Sequence, residues 1–183
     1  MKTGDVEQAV ADELRAMTLE MPFNKIKVLD LCQRSGVSRK TFYAHFASKE
    51  DVLARIIRKD TVEAPRQLHA AFRRDQAEIS SKLLIEMIYQ GILNEAEFYK
   101  NLAKPANAAT FSHIMANTFR TLHQELVGPD SQQDEQLLCA SYYGAAGQTS
   151  VVLHWIEGGM KTSPEQMAEW TSDWGMHAAV VGF

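Results

Sequence analysis

Long apolar runs are absent from this chain. None of its 183 residues lies in a stretch approaching the ~20 consecutive apolar positions of a membrane span, so no membrane association is expected. The opening Met1-Lys2-Thr3-Gly4-Asp5 has no apolar segment of a signal peptide, and the cytoplasm is the expected compartment. Cysteine is scarce. Cys32 and Cys139 lie far apart without any CxxC, which argues against a disulfide framework or a zinc site. There is no GxSxG, P-loop, HExxH or dinucleotide fingerprint, so an enzyme is not expected. His113, His123, His154 and Glu157 lack paired-ligand spacing and read as surface or core groups. No metal and no cofactor are expected. Proline is sparse too: Pro22, Pro65, Pro105, Pro129 and Pro164 each sit between apolar-periodic segments rather than inside one. Gly/Ser-rich linkers, internal repeats and strand-like alternation are missing as well, which leaves an all-α chain.

What is present is concentrated between Ile26 and Leu53. Val28, Leu29, Leu31 and Cys32 give one short helix an apolar face. Gly36 ends it where a positive φ is usually required, and Val37 follows as an apolar plug. Ser38 is placed to cap the next helix, Arg39 to His45, which turns Phe42 and Phe46 inward at i, i+4. Cys32, four residues before Gly36, supplies the small side chain that two crossing helices need. Ser48 then caps a further helix with Glu50 and Asp51 in its first turn, where the dipole favours acids. Small residue, glycine, plug, cap, basic pair and buried aromatics in that order make a helix-turn-helix, whose second helix enters the DNA major groove.

Charge supports the same reading. Residues 25–59 hold nine Lys and Arg against three acids, a net of +6, so the remainder carries −10 to reach the overall −4. A basic block in an acidic chain suits a module that meets phosphate, although a solvated charged face has the same composition. On the Arg39–His45 helix, Arg39 and Lys40 can reach guanine edges or phosphate, and Thr41 and His45 can touch bases or thymine methyls. Tyr43 reads as a phosphate contact or as a half-buried packing residue. Lys49, at a helix N-terminus, reads as a phosphate contact, and Lys27 as a further one. Ser38 completes the set of DNA-binding candidates as the cap.

The run Ser38-Arg39-Lys40-Thr41-Phe42-Tyr43-Ala44-His45-Phe46, with Ser48-Lys49-Glu50-Asp51-Val52-Leu53, resembles the DNA-binding signature of the TetR family of transcription regulators. The match covers roughly residues 5–60. Lys27 departs from the Thr or Ser that many members carry there, so that helix loses a side-chain cap. The resemblance implies an N-terminal three-helix DNA-binding domain over residues 1–60. A C-terminal helical bundle over 61–183 would serve dimerisation and effector sensing.

The remaining periodicities predict helices near 5–21, 49–59, 68–72, 80–93, 95–102, 108–126, Ser131 or Asp134 to Glu157, and 164 onward. The longest has two apolar stripes. Leu138, Tyr142, Ala145, Thr149, Val152 and Ile156 form one; Leu137, Gly144, Gln148, Val151 and Trp155 form the other. Two stripes need two partners: the protomer's own core and a second copy, or a bundle wholly within one chain. The family resemblance implies a homodimer through the last two helices. The first stripe is assigned to that interface, together with Met167, Trp170 and Trp174. Paired recognition helices would then read a palindromic operator in double-stranded DNA at half-sites ~34–36 Å apart.

Met87, Tyr89, Phe98, Tyr99, Phe111, Met115, Tyr143 and Gln148 are candidates to line an effector pocket, or are plain core. A pocket so lined would take a small, largely apolar or aromatic molecule. The expected function is a repressor released by such an effector. Phe98-Tyr99-Lys100-Asn101-Leu102 and the run from Gly147 to Met160, then Ser163-Pro164-Glu165, also resemble the body of regulators of the dihydroxyacetone-kinase type. That similarity implies the alternative of an activator, or of a body that answers to a protein partner.

Overall fold

A computed structural model describes the backbone of residues 3–75, 79–127 and 134–180, and side chains of 4–75, 79–126 and 134–172. Among these residues there are ten α-helices and no strand. In order they are α1 (Thr3–Glu20), α2 (Val28–Ser35), α3 (Arg39–His45), α4 (Lys49–Thr61), α5 (Glu63–Arg74), α6 (Ser81–Asn94), α7 (Ala96–Ala103), α8 (Ala108–Val127), α9 (Glu135–Glu157) and α10 (Pro164–Val180), with a 3-10 turn at Phe23–Lys25.

The local signals act as expected. The α1 stripe Val6, Val10, Leu14 and Met17 is buried, and Pro22 stands between that helix and the 3-10 turn. Lys27 precedes α2 in extended conformation with no side-chain cap. Pro65 falls in the first turn of α5, where a missing N–H removes no intrahelical bond, so the chain restarts there. Asp134 caps α9 by accepting from the amides of Gln136 and Leu137 at 2.9 and 3.3 Å. Ser131, the other candidate start of this helix, and Gly128-Pro129 lie outside the described residues.

Helix α4 is the centre of the molecule and packs against α1, α5, α6 and α8. Its junction with α5, at Thr61 and Val62, is fully buried. One apolar cluster runs from Val6 through this junction to Met167, so the N-terminal helices and the body share a core. At the α4–α6 crossing, a Cβ on Gly91 would lie 1.9 Å from the carbonyl oxygen of Asp60. Only glycine permits that approach.

The long helix α9 corrects one expectation. The family resemblance implies that Ala145, Thr149, Val152 and Ile156 meet a second copy, yet they are 0–3% exposed within one chain. They are covered by their own chain, in which α9 packs against α8, α7 and α10, and Met167 is likewise buried. Leu138 is half-buried, while Tyr142 and Trp170 face solvent. The side chain of Trp174 lies outside the described residues. The solvent face of α9 is instead Cys139, Tyr142, Tyr143, Ala146, Gly147, Ser150 and His154. A Cβ on Gly147 would meet nothing within 4 Å.

Candidate nucleic-acid interface

Helix α3 is set by its ends and by two aromatics. Gly36 has φ of 68°, and the amide of Val37 returns to the carbonyl of Cys32 at 3.0 Å, closing α2. Ser38 is extended, and its Oγ accepts from the amide of Thr41 at 3.0 Å, a cap worth about 1 kcal/mol. Phe42 and Phe46 are 0% and 3% exposed, with ring centroids 5.4 Å apart. Burying them leaves Arg39, Lys40, Tyr43 and Ala44 as the solvent face. The guanidinium of Arg39 lies 6.0 Å from the Tyr43 ring centroid, and Tyr43 packs edge-on against Phe42 at 5.3 Å. Tyr43 is thus half-exposed and half-packed.

The nine bases between residues 25 and 59 separate into two sets. Arg34 pairs with Glu13 and Glu20 of α1, Arg55 with Glu7 and Asp51, Arg58 with Glu63 and Glu125, and Lys59 donates to Gln8. Among the described residues, Lys25, Lys27, Arg39 and Lys40 make no ion pair, and all four are exposed. These are the cations free to meet an external phosphate.

Lys49 belongs to the first set, against expectation. Its ammonium donates to the carbonyls of Phe23, Asn24 and Ile26 at 2.8, 3.3 and 2.8 Å and sits 4.6 Å from the Phe23 ring centroid. An ammonium has three protons, and all three are occupied. Burial pulls its pKa below the ordinary lysine value, with Glu50 opposing that effect. It ties α4 to the α1–α2 connection, and its protons are engaged within the fold rather than by phosphate. His45 is also reoriented. It is half-buried, with Nδ1 3.5 Å from Oε1 of Glu7. Thr41 is half-buried, its Oγ1 2.8 Å from the Ser38 hydroxyl. The outward positions that sequence reasoning passed over are Ala44, one helical turn beyond Lys40, and Lys25. Their signal was available as the i, i+4 complement of the inward Phe42–Phe46 pair and as one more base in the basic block.

The body does not gather the expected effector lining round one space. Tyr89, Tyr99, Phe111 and Met115 are 0% exposed and Phe98 is 4% exposed, while Tyr143 stands in solvent at 73%. Tyr99 packs on Phe98 and Phe111 at 5.3 and 5.9 Å, whereas Tyr89 packs edge-on to Trp155 at 5.1 Å. Met87 and Gln148 are half-buried. Those aromatics are core. An open cleft of about 310 Å³ lies elsewhere, between Asp51, Ala54, Arg55 and Arg58 of α4 and Ile114, Asn117, Thr118 and Thr121 of α8. Among the described residues no group of three or more His, Cys, Asp or Glu is placed to hold a metal, and no helix is long and apolar enough to cross a membrane.

A DNA-binding helix-turn-helix joined to a helical body defines a class of transcription regulators. Residues 15–56 match the family described as bacterial regulatory proteins, tetR family, and residues 81–173 match a transcriptional regulator C-terminal region of the TetR type. The chain belongs to the TetR family of transcriptional regulators. Among solved structures it is similar to a putative TetR-family regulator from Syntrophomonas wolfei str. Goettingen, at 14% identity and TM-score 0.61, over 100% of this chain and 98% of the other. It is similar also to the dihydroxyacetone kinase operon activator DhaS, at 16% identity and TM-score 0.57, over 93% and 94%. At these identities the likeness is one of fold. No curated protein matches the chain in sequence.

Proposed function

We propose that the chain acts as a homodimer that reads a palindromic operator with α3 of each copy, represses by occupying it, and shifts on binding a small molecule. The carrying observation is the α3 face: Arg39 and Lys40 exposed and unpaired beside Tyr43 and Ala44, with Phe42 and Phe46 as the inward anchor. Arg39 and Lys40 suit guanine edges or phosphate, Ala44 a thymine methyl, and Lys25 and Lys27 the backbone. The second copy suits the solvent face of α9, where Tyr142, Tyr143, Ala146, Gly147 and Ser150 offer aromatics around small residues, with Trp170 of α10 exposed. A two-fold pair would place the recognition helices ~34–36 Å apart or a little more.

The test is selection of bound duplexes from a randomised pool, followed by titration at several salt concentrations. A palindromic consensus with affinity falling steeply in salt is expected. Enrichment of no sequence, or binding indifferent to salt, overturns the reading.

A second reading replaces the small molecule with a protein partner, or the repressor with an activator. It is favoured by the filling of the expected effector space, where Tyr89, Tyr99, Phe111 and Met115 are sealed in core. Thermal-shift screening of small metabolites against co-purification with and without the selected duplex separates the two.

A further inference from the structure

Helix α3 has only seven residues, and its apolar anchors are Phe42 and Phe46. Its first turn is held by the Ser38 cap. Its last turn has a second holder, which comes from α4. Arg55 Nη2 donates at 2.7 Å to the carbonyl oxygen of His45, one of the acceptors that a helix end leaves open. Nη1 of the same guanidinium donates to Glu7 Oε1 of α1 at 3.1 Å, and its carbon lies 4.7 Å from the Phe46 ring centroid. Nε and Nη2 also reach Asp51 at 3.4 and 3.3 Å, and Asp51 Oδ2 accepts from the amide of Ala47, just past the helix, at 3.0 Å. One side chain therefore joins α1, α3 and α4 at the end of α3 remote from the turn.

We propose that Arg55 is the positioning residue of the DNA-reading helix. By gripping the His45 carbonyl while braced on Glu7 and Phe46, it sets the tilt at which Arg39, Lys40, Tyr43 and Ala44 meet the base edges. The inference rests on the reading of α3 as the element that enters the groove. Base contacts demand placement within about 0.5 Å and 10–20°. Phosphate contacts through long flexible stems tolerate more, and they dominate binding to unrelated sequence. Releasing the far end of α3 therefore weakens specific binding first. The fold tolerates the loss, because Arg55 and Glu7 are 46% and 40% exposed and ion pairs so placed add little stability.

The test uses the full chain and two probes: a duplex enriched by the wild-type protein from a randomised pool, and an unrelated duplex of equal length. Arg55→Met keeps the stem over Phe46 and removes the donors; Arg55→Lys keeps the charge and loses the fork. Both are expected to lower the ratio of specific to unrelated affinity about tenfold, with the unrelated affinity, the salt slope and the thermal midpoint nearly unchanged. An unchanged ratio overturns the inference. So does an equal fall in both affinities with a salt slope shallower by about one, since that marks a direct phosphate contact. If Arg55→Met does not fold, Glu7→Gln carries the test: a lower ratio at constant slope supports the inference, and an unchanged ratio overturns it. A wild-type protein that enriches no sequence sinks the DNA reading itself and this inference with it.

Discussion

The hydroxyl of Tyr99, fully buried on α7, donates to Asp60 Oδ2 of α4 at 2.9 Å. The same carboxylate accepts two hydrogen bonds from Arg15 of α1 at 2.7 and 2.8 Å. Arg15 also meets Glu95, at the α6–α7 junction, at 3.4 Å, and its guanidinium lies 4.9 Å from the Phe98 ring centroid. Burial first, then the neighbouring Asp60 carboxylate, drives the Tyr99 pKa well above the ordinary tyrosine value, so the phenol remains a donor. Three helices from both sides of the α4–α5 junction thus converge on one carboxylate. The two partners of Asp60 predict unequal costs. Tyr99→Phe removes one hydrogen bond to a charged group, about 1.5–3 kcal/mol. Asp60→Ala leaves the guanidinium of Arg15 largely buried with only Glu95 beside it, about 3–5 kcal/mol. Urea unfolding of the two variants measures the difference; equal costs would contradict the pairing.

Two glycines predict opposite signs for one substitution. Gly91→Ala gains up to about 1 kcal/mol of helix propensity. Its new Cβ, however, meets the Asp60 carbonyl oxygen at 1.9 Å, so α4 and α6 must separate. We expect a net loss of about 1–3 kcal/mol from overpacking. Gly147→Ala meets nothing within 4 Å in the single chain and is expected to stabilise the protomer by about 0.5–1 kcal/mol. If the solvent face of α9 is the dimer face, the same methyl weakens association. Sedimentation across a concentration series, read beside the thermal midpoint, separates the two effects. A stabilised protein with unaltered dimerisation would move the interface elsewhere.

The helix-turn-helix was legible because its signals are local. Gly36 acts on carbonyls, and Ser38 and Ser48 on amides, within a few residues of themselves, and the Phe42–Phe46 spacing names the inward face directly. The destinations of long side chains were not legible. Lys49 and His45 find partners 23 to 38 positions away, in a bend and on α1, and nothing beside them in sequence marks those acceptors. The α9 stripe failed for another reason. A 4-3-4-3 spacing shows that a face is buried without showing by what, and Ala145, Thr149, Val152 and Ile156 are covered by their own chain. The effector lining failed likewise, since aromatics at helical spacing look the same around a cavity and within a packed core.

The division of the bases into bound and free predicts different failures for two lysines. Lys27→Ala should weaken binding to all duplexes and lower the salt slope by about one, with the thermal midpoint unchanged. Lys49→Met should leave the salt slope unchanged and lower the midpoint, because it strands the carbonyl of Ile26, now bound at 2.8 Å, and leaves that of Phe23 with the Ile26 amide alone. Unsatisfied acceptors of that kind cost about 1–3 kcal/mol each where water cannot replace the donor. Anisotropy titrations at four salt concentrations, with melting curves on the same samples, distinguish the outcomes. A shallower slope for Lys49→Met would restore it to the phosphate contacts.

His123 of α8 predicts an acid-side loss of stability. Its Nε2 lies 3.2 Å from Oε1 of Gln148 on α9, and a Cβ on Gly144 would stand 3.0 Å from its ring. Burial pulls its pKa below the ordinary histidine value, and Gln148 and the Ser141 backbone only partly offset that. With the folded pKa below the unfolded one, the unfolded chain binds the proton more readily. The contribution of His123 is therefore fully present above the unfolded value, about 6.5, and is lost as pH falls through that value toward the folded one. Other acids and histidines titrate in the same range, so the measurement is a difference. Melting midpoints of wild type and His123→Gln, taken between about pH 5 and 8, should converge on acidification if the wild type is the more stable at neutral pH. A gap that widens in favour of the wild type at low pH would mean that the imidazolium is stabilised in the fold, and the burial argument would fail.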